Sequence, residues 1–224
     1  MWQDDQSTTS FDVPVDEQFF TGLLGDILMT SSGDQVPTVT SLNNSRLVAF
    51  YFSAHWCPPC RRFTPMLIEA YLHLKSALPV HGLELIFVSS DRDLSSFRNY
   101  FNTMPWLAVP FHKSSIRSSI SQRWVQLSLK LRYWFCQAYL GLNADILLFC
   151  ACRFGVQGIP ALVVLDTVSG NIIVPKEVSR SEVASACQLG DDAIEAMYNT
   201  WMNQIPEDSK VRKYLLHTCM HSIF

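Results

Sequence analysis

Apolar residues dominate two stretches in the N-terminal half of the chain, a continuous run at 47–52 and a mostly apolar run at 83–89. Runs of this kind are typical of strands that are covered on both faces. Between them, apolar residues recur at helical spacing and predict a helix, which Pro65 should kink and Pro79 should end. Residues 91–101 fit a second helix, because acidic residues at its start suit the helix dipole. The alternation of strands and helices is typical of an α/β fold.

Shorter patterns predict the remaining elements. Turn-forming residues between short apolar stretches predict a hairpin at 25–40. Towards the C-terminus, the pattern predicts a pair of strands at 161–165 and 171–174 and a closing helix at 191–204.

Length and composition bound the domain organisation. The chain has 224 residues, of which 48% are hydrophobic, so it can bury a sizeable core. We predict one domain over 19–204, a disordered polar head at 1–18 and a C-terminal tail at 205–224. The head has no basic segment followed by an apolar one, so no secretory signal is expected, and we expect a cytoplasmic location with the nucleus as a further compartment.

Charge and cysteine content narrow the class of partner. The net charge of −3 is unlike that of a protein that holds a phosphate backbone, so we expect no nucleic-acid partner. Seven cysteines, an odd number, do not fit the dense disulfide framework of a small secreted domain. The role of each cysteine must therefore be inferred from its position in the sequence.

Two cysteines lie where the first predicted strand leads into the first helix. A thiol at a helix start faces free amides and the positive end of the dipole, which lower its pKa and favour the thiolate. Cys57 is therefore the candidate nucleophile, and Cys60, one turn later, the candidate resolving thiol. Pro58 and Pro59 between them fix φ and limit motion, and Arg61, together with Arg62 after it, adds positive charge nearby.

A zinc site is the alternative for a pair of closely spaced cysteines. Zinc needs four ligands, and the chain has no second pair with this spacing. Cys150 and Cys152 are separated by one residue, and the histidines at 55, 73 and 81 have no convincing ligand spacing. We therefore expect no metal.

Several motifs together resemble the tryparedoxin and nucleoredoxin branch of the thioredoxin superfamily. They are YFSAHWCPPCR at 51–61, LIFVSSDRD at 85–93, MPWLAVPF at 104–111 and FGVQGIP at 154–160. The likeness covers most of the predicted domain. It implies a thioredoxin fold, in which a central mixed β-sheet is flanked by helices.

The resemblance also implies how the site is completed. The peptide between Ile159 and Pro160 should be cis and lie against Cys57, with the backbone of Ile159 free to pair with a substrate strand. Without the cysteine motif, a trans proline that opens a strand would be the simpler interpretation. Trp56 and Trp106 should flank the sulfurs as an apolar contact face, although either could belong to the core.

One position departs from thioredoxin itself. Tyr51 stands where thioredoxins carry a buried carboxylate, so the proton-transfer group for Cys60 is unassigned. Glu84 is a candidate, but a solvated strand end is the favoured interpretation. Cys187 and Cys219 are interpreted as inert thiols and not as a second redox pair.

An apolar segment at 124–153 interrupts the family pattern before the proline loop. Arg123 and Trp124 can be encoded AGG TGG, which contains a splice-donor boundary, and Cys152 and Arg153 can be encoded TGC AGG, which contains an acceptor. We hypothesise that the segment is a retained in-frame intron. Genomic DNA without such boundaries would disprove this.

The segment has two other interpretations. Residues 133–152 are long enough to span a bilayer, but Asp145 alone would cost about 2.5–3.5 kcal/mol on insertion, so a membrane span is disfavoured. A functional insertion, such as a lid or an interaction loop, ranks second to the intron.

These observations predict a thiol-disulfide oxidoreductase that reduces protein disulfides through Cys57 and Cys60. The expected partners are disulfide-containing proteins and an upstream thiol or reductase that donates electrons, and no cofactor is expected. The alternative is a redox-sensing protein-binding regulator with little turnover.

Overall fold

The computed structural model describes residues 15–78, 82–114, 154 and 156–206. In chain order the described elements are α1 (Glu17–Leu24), β1 (Ile27–Met29), β2 (Gln35–Pro37), α2 (Thr38–Leu42), β3 (Ser45–Ser53), α3 (Pro58–Ala77), β4 (Gly82–Ser89), α4 (Leu94–Phe101), β5 (Leu107–Ala108), α5 (Phe111–Ser114), β6 (Ala161–Asp166), β7 (Ile172–Val174), α6 (Lys176–Leu189) and α7 (Asp191–Asn203).

The strands form one mixed sheet in the order β2-β1-β5-β4-β3-β6-β7. Strand β3 pairs in parallel with β4 and antiparallel with β6. Because β3 and β4 are parallel, their C-terminal ends meet at one edge, where Ser53 lies opposite Ser89. The cysteine pair follows β3 and therefore lies at this edge. The predicted thioredoxin fold is confirmed.

Both faces of the sheet are covered. Side chains of α3, α4, α6 and α7 pack on one face, with Tyr51 and Phe87 contributed by the sheet. Helices α1 and α2 cover the other face, where Phe50 and Phe52 point. Strand β3 alternates between two buried layers, which explains why its sequence is a continuous apolar run and not an alternating one.

Most of the predicted elements are present with small shifts. The hairpin consists of β1 and β2, with Gly33 at φ +96° in its turn. Helix α3 continues through Pro65 and ends at Ala77. Helix α4 begins three residues later than predicted, because the side chain of Asp93 caps it by accepting from the N–H of Ser96 at 2.8 Å.

The structure departs from the sequence-based expectations at the N-terminal head and at one helix. Residues 15–18 contact the fold: Asp16 caps α1 by accepting from the N–H of Phe19, and its own N–H donates to the carbonyl of Thr167. Helix α6 has no counterpart in the predicted elements. Its buried positions include the small residues Ser179 and Ala186, so the apolar periodicity that signals a helix is weak there.

Several sequence-based predictions lie outside the described residues. These are the disordered head at 1–14, the tail from 207 onward and the apolar segment at 124–153. Within the described ranges, none of the helices is both long enough and apolar enough to cross a membrane.

Candidate active site

The two cysteines are joined by a disulfide at the start of α3. Cys57 is the N-cap residue, with 4% of its surface exposed, whereas Cys60 is fully buried in the first turn. The N–H of Cys60 points to Sγ of Cys57 at 3.3 Å. An amide aimed at a sulfur in this way favours its thiolate form. The arrangement therefore distinguishes an outer, anion-stabilised sulfur from an inner one.

The two prolines shape this helix start. Pro58 and Pro59 occupy its first two positions and are exposed. Neither has an N–H, so the amide of Cys60 is the first in the helix that can reach the sulfur of Cys57. Arg61 and Arg62 follow and are exposed.

The peptide between Ile159 and Pro160 is cis, as the resemblance implied. Sγ of Cys57 lies 3.8 Å from the carbonyl oxygen of Ile159, and the side chain of Ile159 packs against both cysteines and Ala54. The guanidinium of Arg180 donates to the carbonyl of Pro160 at 2.9 Å. Residues more than a hundred positions apart in the chain are thus brought together at the disulfide.

The two candidate contact tryptophans have different environments. Trp56 is 50% exposed, and its indole N–H donates to the carbonyl of Ser90 at 3.0 Å. Trp106 is only 2% exposed and packs edge-on against the rings of Tyr51 and Tyr71. The prediction that Trp106 flanks the sulfurs as a contact face is wrong, because its side chain points into the core layer shared with α3.

A cluster of buried hydroxyl groups lies below Cys60, and we call Tyr51, Ser53, Thr64 and Tyr100 the hydroxyl cluster. The hydroxyl of Tyr51 lies 2.8 Å from that of Thr64, and Ser53 donates to Tyr51 at 3.0 Å. Thr64 also donates to the carbonyl of Cys60 at 3.0 Å. Burial, with a contribution from Tyr100, raises the pKa of Tyr51 well above its ordinary value. The hydroxyl of Tyr51 is therefore protonated at neutral pH.

Glu84 lies far from the cysteines. It pairs with Val48 in the β3–β4 register, five residues before the end of β3 and so about 16 Å from it along the strand. Its carboxylate is buried and accepts from the hydroxyl of Tyr71 at 2.9 Å and from Nζ of Lys75 at 2.8 Å. The expectation of a solvated strand end is wrong, and the distance removes Glu84 as a proton-transfer group for Cys60.

Asp91 is a site residue that the sequence interpretation missed. Its carboxylate is buried and accepts from the N–H of His55 at 2.8 Å and from the hydroxyl of Ser89 at 2.9 Å. These bonds fasten the loop before Cys57 to the end of β4. The sequence pattern places Asp91 at the start of the helix predicted at 91–101. No pattern in the neighbouring residues indicates that its side chain is buried.

Asp91 predicts a specific pH dependence of stability. Burial raises the pKa of Asp91, so the folded chain holds this proton to a higher pH than the unfolded chain, in which aspartate titrates near pH 4. The stability that the bound proton contributes is present at low pH and is lost as pH rises through the raised pKa. Asp91→Asn keeps the shape of the side chain and cannot ionise. We expect it to flatten the fall in unfolding free energy as the pH rises above about 4, measured by urea denaturation.

Asp93→Asn is the matched control. The pKa of Asp93 is lowered by hydrogen bonds from Ser96, so its titration lies below this window. The control should keep the fall that the wild-type chain shows. A fall of the same size in Asp91→Asn would contradict the assignment to Asp91.

The remaining described cysteine is Cys187. It is partly buried, and its thiol donates to the carbonyl of Met66 at 3.2 Å. Burial raises the pKa of Cys187, which reduces its thiolate fraction. Within the described ranges, no three His, Cys, Asp or Glu side chains are grouped so that they could hold a metal ion. Cys219 lies outside the described residues.

Comparisons with known proteins agree with this geometry. A family model described as Thioredoxin-like matches residues 44–134. Nucleoredoxin from Bos taurus is 37% identical over 147 residues, which are 66% of this chain and 26% of that protein. Tryparedoxin from Trypanosoma brucei brucei is 35% identical over 128 residues, 57% of this chain and 66% of that protein. The chain thus spans about a quarter of the length of this nucleoredoxin and about two thirds of that of the tryparedoxin.

Solved structures of tryparedoxins share the fold. Native tryparedoxin I from Crithidia fasciculata superposes with a TM-score of 0.53 at 30% identity, over 75% of this chain and 90% of that one. A tryparedoxin II complexed with glutathionylspermidine gives a TM-score of 0.53 at 28% identity, over 74% of this chain and 90% of that one. The chain therefore belongs to the thioredoxin-like family, in the branch that contains the tryparedoxins and nucleoredoxins.

Proposed function

We propose that this chain is a thiol-disulfide oxidoreductase that reduces protein disulfides through Cys57 and Cys60. The observation that carries the proposal is the asymmetry of the pair at the start of α3. Cys57 receives the amide of Cys60 and keeps some exposure, whereas Cys60 is fully buried. An incoming disulfide can therefore reach Cys57 first.

The reaction proceeds in two exchanges. The thiolate of Cys57 attacks one sulfur of the substrate disulfide, forms a mixed disulfide and releases the second substrate sulfur as a thiolate, which takes up a proton. Cys60 then loses its proton and attacks Sγ of Cys57. This step forms the Cys57–Cys60 disulfide and releases the first substrate sulfur. Two electrons and two protons pass to the substrate in total.

The surroundings of Cys57 have separate roles in this proposal. Trp56 offers an exposed apolar face beside the nucleophile. The backbone of Ile159, held next to Cys57 by the Pro160 loop, pairs with an extended substrate segment. Pro58 and Pro59 limit motion between the two sulfurs, and the charge of Arg61 favours the thiolate.

The second exchange also needs a group that accepts the proton of Cys60. Among the described residues the hydroxyl cluster lies below Cys60 in place of a carboxylate, and burial raises the pKa of Tyr51, so the Tyr51 hydroxyl stays protonated at physiological pH. We propose that the cluster only positions the first turn of α3. The proton of Cys60 then passes to the departing substrate thiolate or to water.

A further cycle requires an external reductant. A small thiol or the dithiol of a reductase reduces the Cys57–Cys60 disulfide by the same two exchanges in reverse. The reducing cytosol supplies donors of this class, in agreement with the location expected from the sequence.

Insulin reduction by the full chain with dithiothreitol as the recycling reductant tests the proposal. We expect turnover well above the rate of dithiothreitol alone. Cys187→Ser is the matched control and should retain this rate, because Cys187 lies away from the pair. Slow turnover together with stable capture of disulfide partners would contradict a reductase and favour the redox-sensing regulator.

A further inference from the structure

The loop between β4 and α4 contacts the two residues just before Cys57 and carries an exposed arginine, Arg92. Both of its carboxylates accept hydrogen bonds from neighbours: Asp91 is buried and accepts from His55 and Ser89, and Asp93 is exposed and accepts from Ser96 with both oxygens. Arg92 between them is exposed. Of the two exposed charges in this loop, Asp93 is bound to the start of α4, whereas Arg92 takes no part in these hydrogen bonds.

Arg92 is placed over the contact residue of the site. Its guanidinium lies 5.6 Å from the centre of the Trp56 ring, and the indole is held in turn by its bond to Ser90. Stacking on an aromatic face leaves the edge of a guanidinium available to bind a carboxylate. A positive group is thus fixed next to the apolar surface that adjoins Cys57.

Helix α3 contributes a second guanidinium. Arg61 is exposed and lies one helical turn after Cys57, to whose carbonyl its N–H donates at 3.1 Å. Residues four apart share one face of a helix. We call Arg61 and Arg92 the basic rim. Its sign is opposite to the net charge of the whole chain, −3, so it is not a consequence of overall composition.

We propose that the basic rim selects substrate disulfides whose flanking residues are acidic. The inference rests on the proposed function and names its substrate class: a protein segment in which aspartate or glutamate adjoins the reactive cysteine. Guanidinium groups bind carboxylates with two parallel hydrogen bonds, and a local positive field raises the encounter rate with anionic segments. Because the rim is exposed, salt screens this preference.

Three synthetic peptides that share one disulfide loop and differ only in flanking Glu, Gln or Lys test the proposal. The full chain is reduced, freed of reductant and mixed with each peptide, and the appearance of peptide thiol gives the rate constant. At low ionic strength we expect the Glu peptide to react about 10-fold faster than the Lys peptide. The ratio should fall towards one in 0.5 M salt, a concentration of roughly this size being enough to screen exposed charges.

Arg92→Glu should abolish or reverse the preference. Arg98→Glu is the matched control, because Arg98 is exposed in the last turn of α4, further from the site, and the substitution changes the net charge equally. The control should keep the wild-type ratio. The neutral Gln peptide shows whether a variant has lost charge selectivity or reactivity. If the cysteine pair is intact, both variants should reduce this peptide within about twofold of the wild-type rate.

The outcomes distinguish the two proposals. If the wild-type chain reduces none of the peptides, the proposed function fails and the inference that rests on it fails too. If the wild-type chain reduces the Glu and Lys peptides at equal rates, the function stands and the selective role of the rim is refuted. A preference for the Glu peptide that persists in Arg92→Glu would also overturn that role.

Discussion

Cys60→Ser leaves a chain that captures disulfide substrates and does not release them, and Cys57→Ser leaves a chain that captures none. Without Cys60, the mixed disulfide on Cys57 has no internal thiol to resolve it. Without Cys57, no sulfur receives the helix-start amide, and the remaining thiol is fully buried. We expect insulin reduction to fall by on the order of 10³ or more in both variants.

Non-reducing electrophoresis of each variant mixed with a protein disulfide measures capture. Cys60→Ser should give a higher-mass species that disappears on addition of dithiothreitol, and Cys57→Ser should give none. The Cys187→Ser control should resemble the wild-type chain. Capture by Cys57→Ser and not by Cys60→Ser would reverse the assignment of nucleophile and resolving thiol.

Asp166→Ala lowers the free energy of unfolding by about 3–5 kcal/mol. Asp166 ends β6 and is fully buried, and it forms a 2.7 Å ion pair with Arg46, whose side chain is also largely buried. Its carboxylate accepts from the N–H groups of Val168 and Ser169 in the following turn. Removal of the Asp166 side chain leaves the largely buried guanidinium of Arg46 without its carboxylate partner and leaves these two amides without their acceptor.

Urea denaturation at neutral pH measures this loss. Asp166→Asn is the matched variant: its amide oxygen can still accept from the turn, so it should lose less stability than Asp166→Ala. Asp166 lies at the end of β6 remote from Pro160, so Cys57 in the folded variants should react with iodoacetamide at the wild-type rate. A loss below about 1 kcal/mol in Asp166→Ala would show that the ion pair is not a structural anchor.

The parts of the fold that the sequence predicts are those with a strong local pattern. Strands β3 and β4 are covered on both faces, so their apolar runs are continuous and easy to recognise. The buried residues of helix α6 are Ser179, Val183 and Ala186. Because only one of them is a large apolar residue, the sequence shows no clear apolar face there. The fold class therefore follows from the central strands even though one long helix does not.

The sequence likewise predicts some residues of the candidate site and not others. Cys57 and Cys60 follow from one short motif, and the Pro160 loop follows from the family resemblance. The hydroxyl cluster joins β3, α3 and α4, so its members are far apart in sequence and no spacing brings them together. The family resemblance implied that Trp106 lies on the contact face beside the sulfurs. Its ring instead packs in the core against the rings of Tyr51 and Tyr71.

A single-turnover experiment shows whether the electrons that reduce a substrate disulfide come from Cys57 and Cys60. The reduced full chain, freed of reductant, is mixed with one equivalent of a peptide disulfide, quenched with an alkylating reagent and mapped by mass spectrometry. We expect peptide thiols to appear in step with a disulfide between Cys57 and Cys60, while Cys187 is recovered in its alkylated form. Reduction of the peptide with Cys57 and Cys60 still alkylated as free thiols would contradict this expectation.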